Sequence, residues 1–440
     1  MNKGWINRLF ITLNQGLIGY AAKWLLLGSA VGFLAGSASA LFLYSLAAVT
    51  QLRLSHPWLL FLLPAGGAFV SFLYGKYGKN SGLGNNLILE QIHGADGRVP
   101  WRMAPLVLVG TLITHLFGGS AGREGTAVQM GGSLADGLGR LIRVDAATRR
   151  LLLICGISGG FGSVFGTPLA GTIFGLEVLA IGLIRHEALF PAFVASLSGH
   201  LVASTLWQVP HLHYSIGPVP ALSLLVLLKV SLAAVLFGLT SRVFSGLTHR
   251  LKAVFSRRFP QPMLKSAVGG LLVIALVYLV GTRDYLGLGI PLIQSSFAAD
   301  GPSPFAFLWK LIFTALTLGT GFQGGEVTPL FAIGATLGHT LAPLLQLYAP
   351  FLAALGFIAV FCGAANTPIA CFVMGIELFG AEASVYLFIA CLISYLVSGH
   401  TGIYGSQRIG IPKVSWSGYR EGMVLSDVKK TGGKRSGSDK

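Results

Sequence analysis

Two glutamates set among glycines are the residues in this sequence best placed to handle an ion. Glu124 stands in Gly119-Ser120-Ala121-Gly122-Arg123-Glu124-Gly125-Thr126, and Glu326 in Gly324-Gly325-Glu326-Val327-Thr328-Pro329. An offset of 202 aligns Gly122 with Gly324, Glu124 with Glu326 and Thr126 with Thr328. Each glutamate reads as lying at a helix start, where unpaired N–H groups and the positive end of the helix dipole favour negative charge. A site that accepts a carboxylate also accepts an anion. Protonation neutralises the glutamate, which can then leave while an anion takes over the N–H groups it vacates. One residue thereby acts as both gate and proton carrier.

A second pair, Glu177 and Glu377, lies in a longer repeat at an offset of 200. Gly156/Gly356, Phe161/Phe361, Thr167/Thr367, Pro168/Pro368, Ala170/Ala370 and Gly175/Gly375 match along with the glutamates. Set in Phe-Gly-Leu-Glu-Val and Met-Gly-Ile-Glu-Leu, this pair reads as structural, each carboxylate hydrogen-bonding a neighbouring broken helix.

The elements that position these residues are apolar. Of 440 residues 53% are hydrophobic and only 10% charged, which points to a polytopic membrane protein rather than to soluble domains. Leu25 to Ala48, Trp58 to Leu73, Ala221 to Leu239 and Ser266 to Gly281 approach the roughly 20 residues of a bilayer-crossing helix. Residues 103–118 and Glu124 to Gly139 read as two helices separated by a glycine-rich break. At bilayer depth a carboxylate costs about 2.5–3.5 kcal/mol on insertion scales, so the four repeated glutamates among 15 acidic residues demand a role. Matched, glycine- and proline-interrupted segments in two halves point to a binding site at the membrane midplane. The organisation expected is an N-terminal segment 1–19, a first transmembrane repeat 20–210, a connecting loop 211–217, a second repeat 218–411 and a basic tail 412–440.

The formal charge of +16 does not imply nucleic acid, because the cations lie outside the apolar runs. They gather at Arg140, Arg143, Arg149 and Arg150, at Arg250 to Lys265, and at Lys429, Lys430, Lys434, Arg435 and Lys440. Positive flanks face the cytoplasm, which places the tail and the 250–265 loop inside. The N terminus does not read as a removable signal peptide. Cys155, Cys362, Cys371 and Cys391 read as small core residues, and no metal or nucleotide motif is present. No cofactor is expected. A serine-protease reading of Gly156-Ile-Ser158-Gly159 with His115 or His200 gives way to an architectural one, since Gly156 has its match at Gly356.

These residues together resemble the CLC family of chloride channels and anion/proton antiporters over most of 20–410. Gly122-Arg123-Glu124-Gly125 resembles its gating-glutamate motif, Gly324 to Pro329 its second anion-binding loop, and Tyr404 in Gly402-Ile-Tyr-Gly-Ser-Gln407 its central anion-donating tyrosine. The departures are similar to the fluoride-exporting branch. The first loop reads Gly82-Leu83-Gly84-Asn85-Asn86 in place of a serine loop, with Leu83 where that branch often has methionine. Val178 replaces the internal proton glutamate of chloride antiporters, and the second loop carries Glu326 and Thr328. The resemblance implies an all-α fold of two inverted halves with tilted and broken helices. It implies a homodimer in a prokaryotic inner membrane that exports fluoride in exchange for protons, without enzymatic activity; a chloride/proton antiporter or passive chloride channel is the alternative within the fold. Glu124 would gate and carry the proton, and Glu326 would couple it. Leu83, Gly84, Asn85, Gly122, Arg123, Gly125, Val327, Thr328 and Tyr404 would line the anion path. Fluoride is small and tightly hydrated, so its site must offer close donors: backbone N–H groups, the Asn85 amide and the Thr328 and Tyr404 hydroxyls.

Overall fold

The computed structural model describes residues 3–95, 97–211, 214–414 and 419–427, with side chains from residue 16 onward. The tail cations at 429–440 lie outside these residues. The described chain forms sixteen α-helices in two runs of eight. The first comprises α1 (Lys3–Ser55), α2 (Leu63–Leu73), α3 (Asn85–Ile92), α4 (Met103–Leu116), α5 (Glu124–Leu141), α6 (Ala146–Phe165), α7 (Pro168–Glu177) and α8 (Leu189–Leu201). The second comprises α9 (Leu224–Arg258), α10 (Pro262–Val280), α11 (Ile290–Ser296), α12 (Ala306–Gly319), α13 (Val327–Leu345), α14 (Ala349–Ala365), α15 (Pro368–Phe379) and α16 (Ser384–Val397).

Among the described residues six helical stretches are long and apolar enough to cross a membrane. Leu25 to Ala48 and Trp58 to Leu73 fall inside them, Ala221 to Leu239 and Ser266 to Gly281 overlap them, α1 continues unbroken across residue 20, and α9 begins at Leu224, where Ser223 accepts from the Val226 N–H at 3.3 Å. Leu225, Leu228, Leu232 and Leu239 are exposed on α9, while Val230, Ala233, Phe237 and Phe244 are buried, as expected of a helix with one lipid face. Others are short. The ten residues of α7 span about 15 Å at 1.5 Å per residue, half of a ~30 Å hydrocarbon core. A helix end at that depth needs partners for its free backbone groups.

Glu177 and Glu377 supply them. Glu177, at the end of α7, accepts from the Ile369 and Ala370 N–H groups at the start of α15, at 3.1 and 2.8 Å. Glu377, near the end of α15, accepts from Leu169 and Ala170 at the start of α7, at 2.9 and 2.8 Å. The two short helices therefore run antiparallel and cap one another. Replacing Glu177 with alanine is expected to cost about 3 kcal/mol, the scale of two hydrogen bonds to a buried charge. A fall in the unfolding midpoint in detergent, with the proton-to-anion ratio of the folded fraction unchanged, is the measurement that checks this structural role.

Matched glycines set the close crossings in each half. A Cβ at Gly131 would strike the Gly156 carbonyl and the reverse, bringing α5 against α6; Gly334 and Gly356 do the same for α13 and α14. The breaks before α5 and α13 also meet, Gly122 donating to Gly325 O at 2.6 Å and Gly325 to Gly122 O at 2.8 Å in an antiparallel bridge. The halves are thus related by inversion.

This geometry corrects the register. Gly122 pairs with Gly325, N-cap Arg123 corresponds to N-cap Glu326, and Gly131 corresponds to Gly334. The offset here is 203, so the structural mate of Glu326 is Arg123 and that of Glu124 is Val327. Sequence identity favoured 202 because glycines occur on both sides of each break, whereas backbone pairing fixes which glycine is which.

Candidate anion and proton site

Glu124 is the first residue of α5 and is 1% exposed. Its carboxylate is turned onto the start of α13. One oxygen accepts from the Thr328 N–H at 3.0 Å and the Arg123 N–H at 3.1 Å; the other accepts a short bond from the Thr328 hydroxyl. Arg123 Nε stands 3.6 Å from that second oxygen. The carboxylate therefore occupies a helix N-terminus, a place suited to an anion.

Residues of the turn from Gly324 to Thr328 line two cavities. One, of about 340 Å³, is lined by Leu83, Gly84, Asn85, Gln129, Lys252, Lys265, Gly324, Glu326 and Tyr404, among others. The second, about 30 Å³, is lined by Arg123, His211, Tyr214, Thr328 and Phe331, among others. Glu124 lines neither and bonds to Thr328. Arg123 and Glu326, equivalent by the inversion, thus face opposite cavities with opposite charges.

The first loop turns into α3 at a glycine in a positive-φ conformation. Gly84, at φ 60°, is the N-cap of α3, and Asn85 begins the helix. No side chain caps this helix start. Asn85 lies against the start of α5: a Cβ added at Gly125 would stand 3.2 Å from Asn85 Nδ2, and 3.1 Å from Gly325 Cα of the second break. Leu83, 48% exposed, lines the larger cavity, and Val327 is buried in the core, where only its backbone is available to the path. Asn86 has another role. Its Oδ1 accepts from the Ser406 N–H at 2.9 Å, and Glu90 Oε1 accepts from the Ser406 hydroxyl at 2.7 Å. Tyr404, 5% exposed and edge-on to Phe174, is held by this tether across 320 residues.

Removing the tether by Asn86→Ala is expected to raise the KM for the transported anion about tenfold, the equivalent of one lost hydrogen bond of ~1.4 kcal/mol. Asn86→Asp keeps the acceptor and is expected to retain most of the affinity. Initial-rate efflux from proteoliposomes at varied anion concentration measures both.

The break before Glu124 is clasped by groups that the sequence reading passes over. Lys310, fully buried in α12, donates to Ser120 Oγ, Tyr285 O and Gly287 O at 2.9, 3.1 and 2.7 Å. Ser120 also pairs with Thr314 at 2.8 Å, and its N–H donates to Thr317 at 3.2 Å, so one face of α12 holds the turn. A lysine inside the apolar helix Ala306–Gly319 was the available signal. His115 is engaged with Thr111 O and Ala121 O on the other side, and Ser158 donates to Thr172 O, so neither forms a nucleophile–base pair. Among the described residues no group of His, Cys, Asp and Glu could hold a metal.

Residues 66–399 match the family model described as voltage gated chloride channel. The chain belongs to the CLC family. Among its CLC relatives is the "Chloride/fluoride channel protein" of Pseudomonas syringae pv. tomato, 52% identical over 419 residues, covering 94% of this chain and 92% of the relative. An "H(+)/Cl(-) exchange transporter ClcA" from Cronobacter sakazakii is 27% identical, covering 86% and 87%. The solved structure of a CLC-type fluoride/proton antiporter superposes with a TM-score of 0.85 at 37% identity, covering 88% of this chain and 98% of that one. A cyanobacterial Cl−/H+ antiporter shares the fold at a TM-score of 0.75 and 19% identity. This CLC protein is a multi-pass membrane protein, and it resembles the fluoride branch of the family.

Proposed function

We propose that the chain exports fluoride in exchange for protons, with Glu124 as gate and proton carrier and Glu326 as the coupling group. The observation that carries the reading is the Glu124 carboxylate seated on the Thr328 N–H and hydroxyl, because a fluoride ion would accept from the same donors once the protonated side chain left. The relative from Pseudomonas and the fluoride/proton antiporter structure support fluoride as the substrate. Asn85 and Tyr404 offer further donors on the side of the larger cavity, and Leu83 narrows its wall without donating.

The larger cavity is lined by Lys252 and Lys265, in the last turns of α9 and the first turn of α10; the basic 250–265 segment expected as a loop is helical on both sides of a short 259–261 link. By the positive-inside rule this is the cytoplasmic side of a prokaryotic inner membrane, with the C-terminal tail on the same side. Fluoride enters there and leaves past Arg123, while protons travel inward. The antiparallel α7–α15 seam and the neighbouring α8 and α16 present exposed Leu169, Phe193, Ile369, Phe388 and Leu392, which supports a homodimer meeting on this face. Efflux of fluoride and of chloride from the same proteoliposomes, with pH recorded simultaneously, tests the function. Fluoride efflux several-fold faster than chloride, accompanied by proton uptake, is expected; fluoride flux no faster than from empty vesicles overturns it.

A further inference from the structure

We infer that one face of α9, built by Ser245 and Thr248, is the wall along which protons pass between Glu326 and the cytoplasmic mouth of the cavity. The inference rests on the reading of Glu326 as the coupling group. Ser245, Thr248 and Lys252 follow one another at spacings of three and four, so they share a helical face, and all three line the 340 Å³ cavity with Glu326.

Hydroxyls inside a helix ordinarily return to the carbonyl four residues back. In α9 itself Thr240 does so to Leu236 O at 2.8 Å and Ser241 to Phe237 O at 2.9 Å, with a second bond to Val360 O at 2.7 Å. Ser245 and Thr248 do not. Their hydroxyl oxygens are buried without a protein partner, and so are Tyr74 OH, Asn85 Oδ1 and Gln129 Oε1 in the same cavity. Twelve buried side-chain atoms are in this condition among the described residues, and five of them converge on this space. Buried polar groups are almost always hydrogen-bonded, and a polar cavity far larger than one water molecule satisfies them with water. The larger cavity is therefore a hydrated chamber with an anion wall at Leu83 to Asn85 and Tyr404 and a hydroxyl wall on α9.

Along the hydroxyl wall a proton moves by exchange of O–H bonds. Each water or hydroxyl oxygen accepts one proton and releases another, so Ser245 and Thr248 end unchanged. The proton released by a neutral Glu326 carboxyl ends in solvent at the cytoplasmic mouth, and the carboxylate left behind is ready for the next proton. These two residues order the chain of water and are positioning residues rather than proton stores.

The test is the full chain in proteoliposomes, with fluoride and pH recorded together. Ser245→Ala/Thr248→Val is expected to slow proton uptake at least tenfold, while in a Glu124→Ala background, where anion flux is uncoupled, the same pair of substitutions changes fluoride efflux less than twofold. Thr248→Ser, which keeps the hydroxyl, is expected to stay within twofold of the parent and Thr248→Val to fall below it, so single variants decide the matter if the double variant does not fold. Proton uptake at the parental rate in the valine and alanine variants overturns the inference, as does an equal slowing of uncoupled fluoride. Glu326→Gln run in parallel separates the two failures. Loss of proton uptake there with none in the α9 variants defeats only the wall, whereas full proton uptake in Glu326→Gln defeats the coupling role and the wall with it.

Discussion

Proteoliposomes carrying Glu124→Ala are expected to lose proton uptake while continuing to release anion down its gradient. The carboxylate of Glu124 takes the Thr328 N–H, the Thr328 hydroxyl and the Arg123 N–H. Alanine frees all three donors at once and leaves nothing at that point that can bind a proton. Proton flux should fall on the order of 100-fold or more, the scale on which a positioned proton-transfer group acts. Anion flux should persist, because the freed N-terminus of α13 still attracts negative charge. Glutamine makes the complementary case. Its amide oxygen still accepts from the Thr328 N–H, so the side chain stays seated, yet it cannot be protonated and released. Glu124→Gln is therefore expected to slow fluoride efflux as well as proton uptake. Proton uptake at the parental rate in Glu124→Ala would sink the carrier role, and equal anion flux in the alanine and glutamine variants would sink the gate.

The sequence made the local chemistry legible and left the long-range partners hidden. Glycines beside Glu124 and Glu326 mark the helix breaks, and the matched Pro168-to-Glu177 and Pro368-to-Glu377 segments anticipate two short helices that need each other's carboxylates. The register was not legible, since an offset of one residue changes no glycine count but exchanges Glu124 for Arg123 as the mate of Glu326. That exchange matters physically. Two symmetric glutamates would meet equivalent surroundings, whereas an arginine and a glutamate at equivalent places make the two ends of the path electrostatically different. Asn86 was visible only as the second of two amides, because its partner Ser406 is 320 residues away. Lys310 was hidden in the same manner, its three acceptors being carbonyl and hydroxyl groups of distant turns with no charge to advertise them.

Glu326→Gln is expected to uncouple the exchange, with proton uptake falling on the order of 100-fold, and Val178→Glu is expected not to restore it. Glu326 is the N-cap of α13 and lines the hydrated cavity, while Thr328, two residues further along the same turn, holds Glu124. A proton released by Glu124 is therefore handed to a carboxylate on the turn on which the gate sits. Glutamine preserves the size and the polar contacts of the side chain but has no site for the proton. Val178 follows Glu177, where chloride-type relatives place their internal proton glutamate according to the sequence resemblance. Here it is 2% exposed in the core at the end of α7, its carbonyl accepting from Gln407 Nε2 at 3.0 Å, and it lines neither cavity. A carboxylate introduced there would be buried among apolar side chains without a donor, at a cost in stability of several kcal/mol or by staying protonated. Simultaneous fluoride and pH recording from Glu326→Gln and from Glu326→Gln/Val178→Glu decides the point. Coupled uptake retained in the first variant removes Glu326 from the proton path, and coupling regained in the second would mean that the proton leaves Glu124 through the α7 end rather than along the cavity.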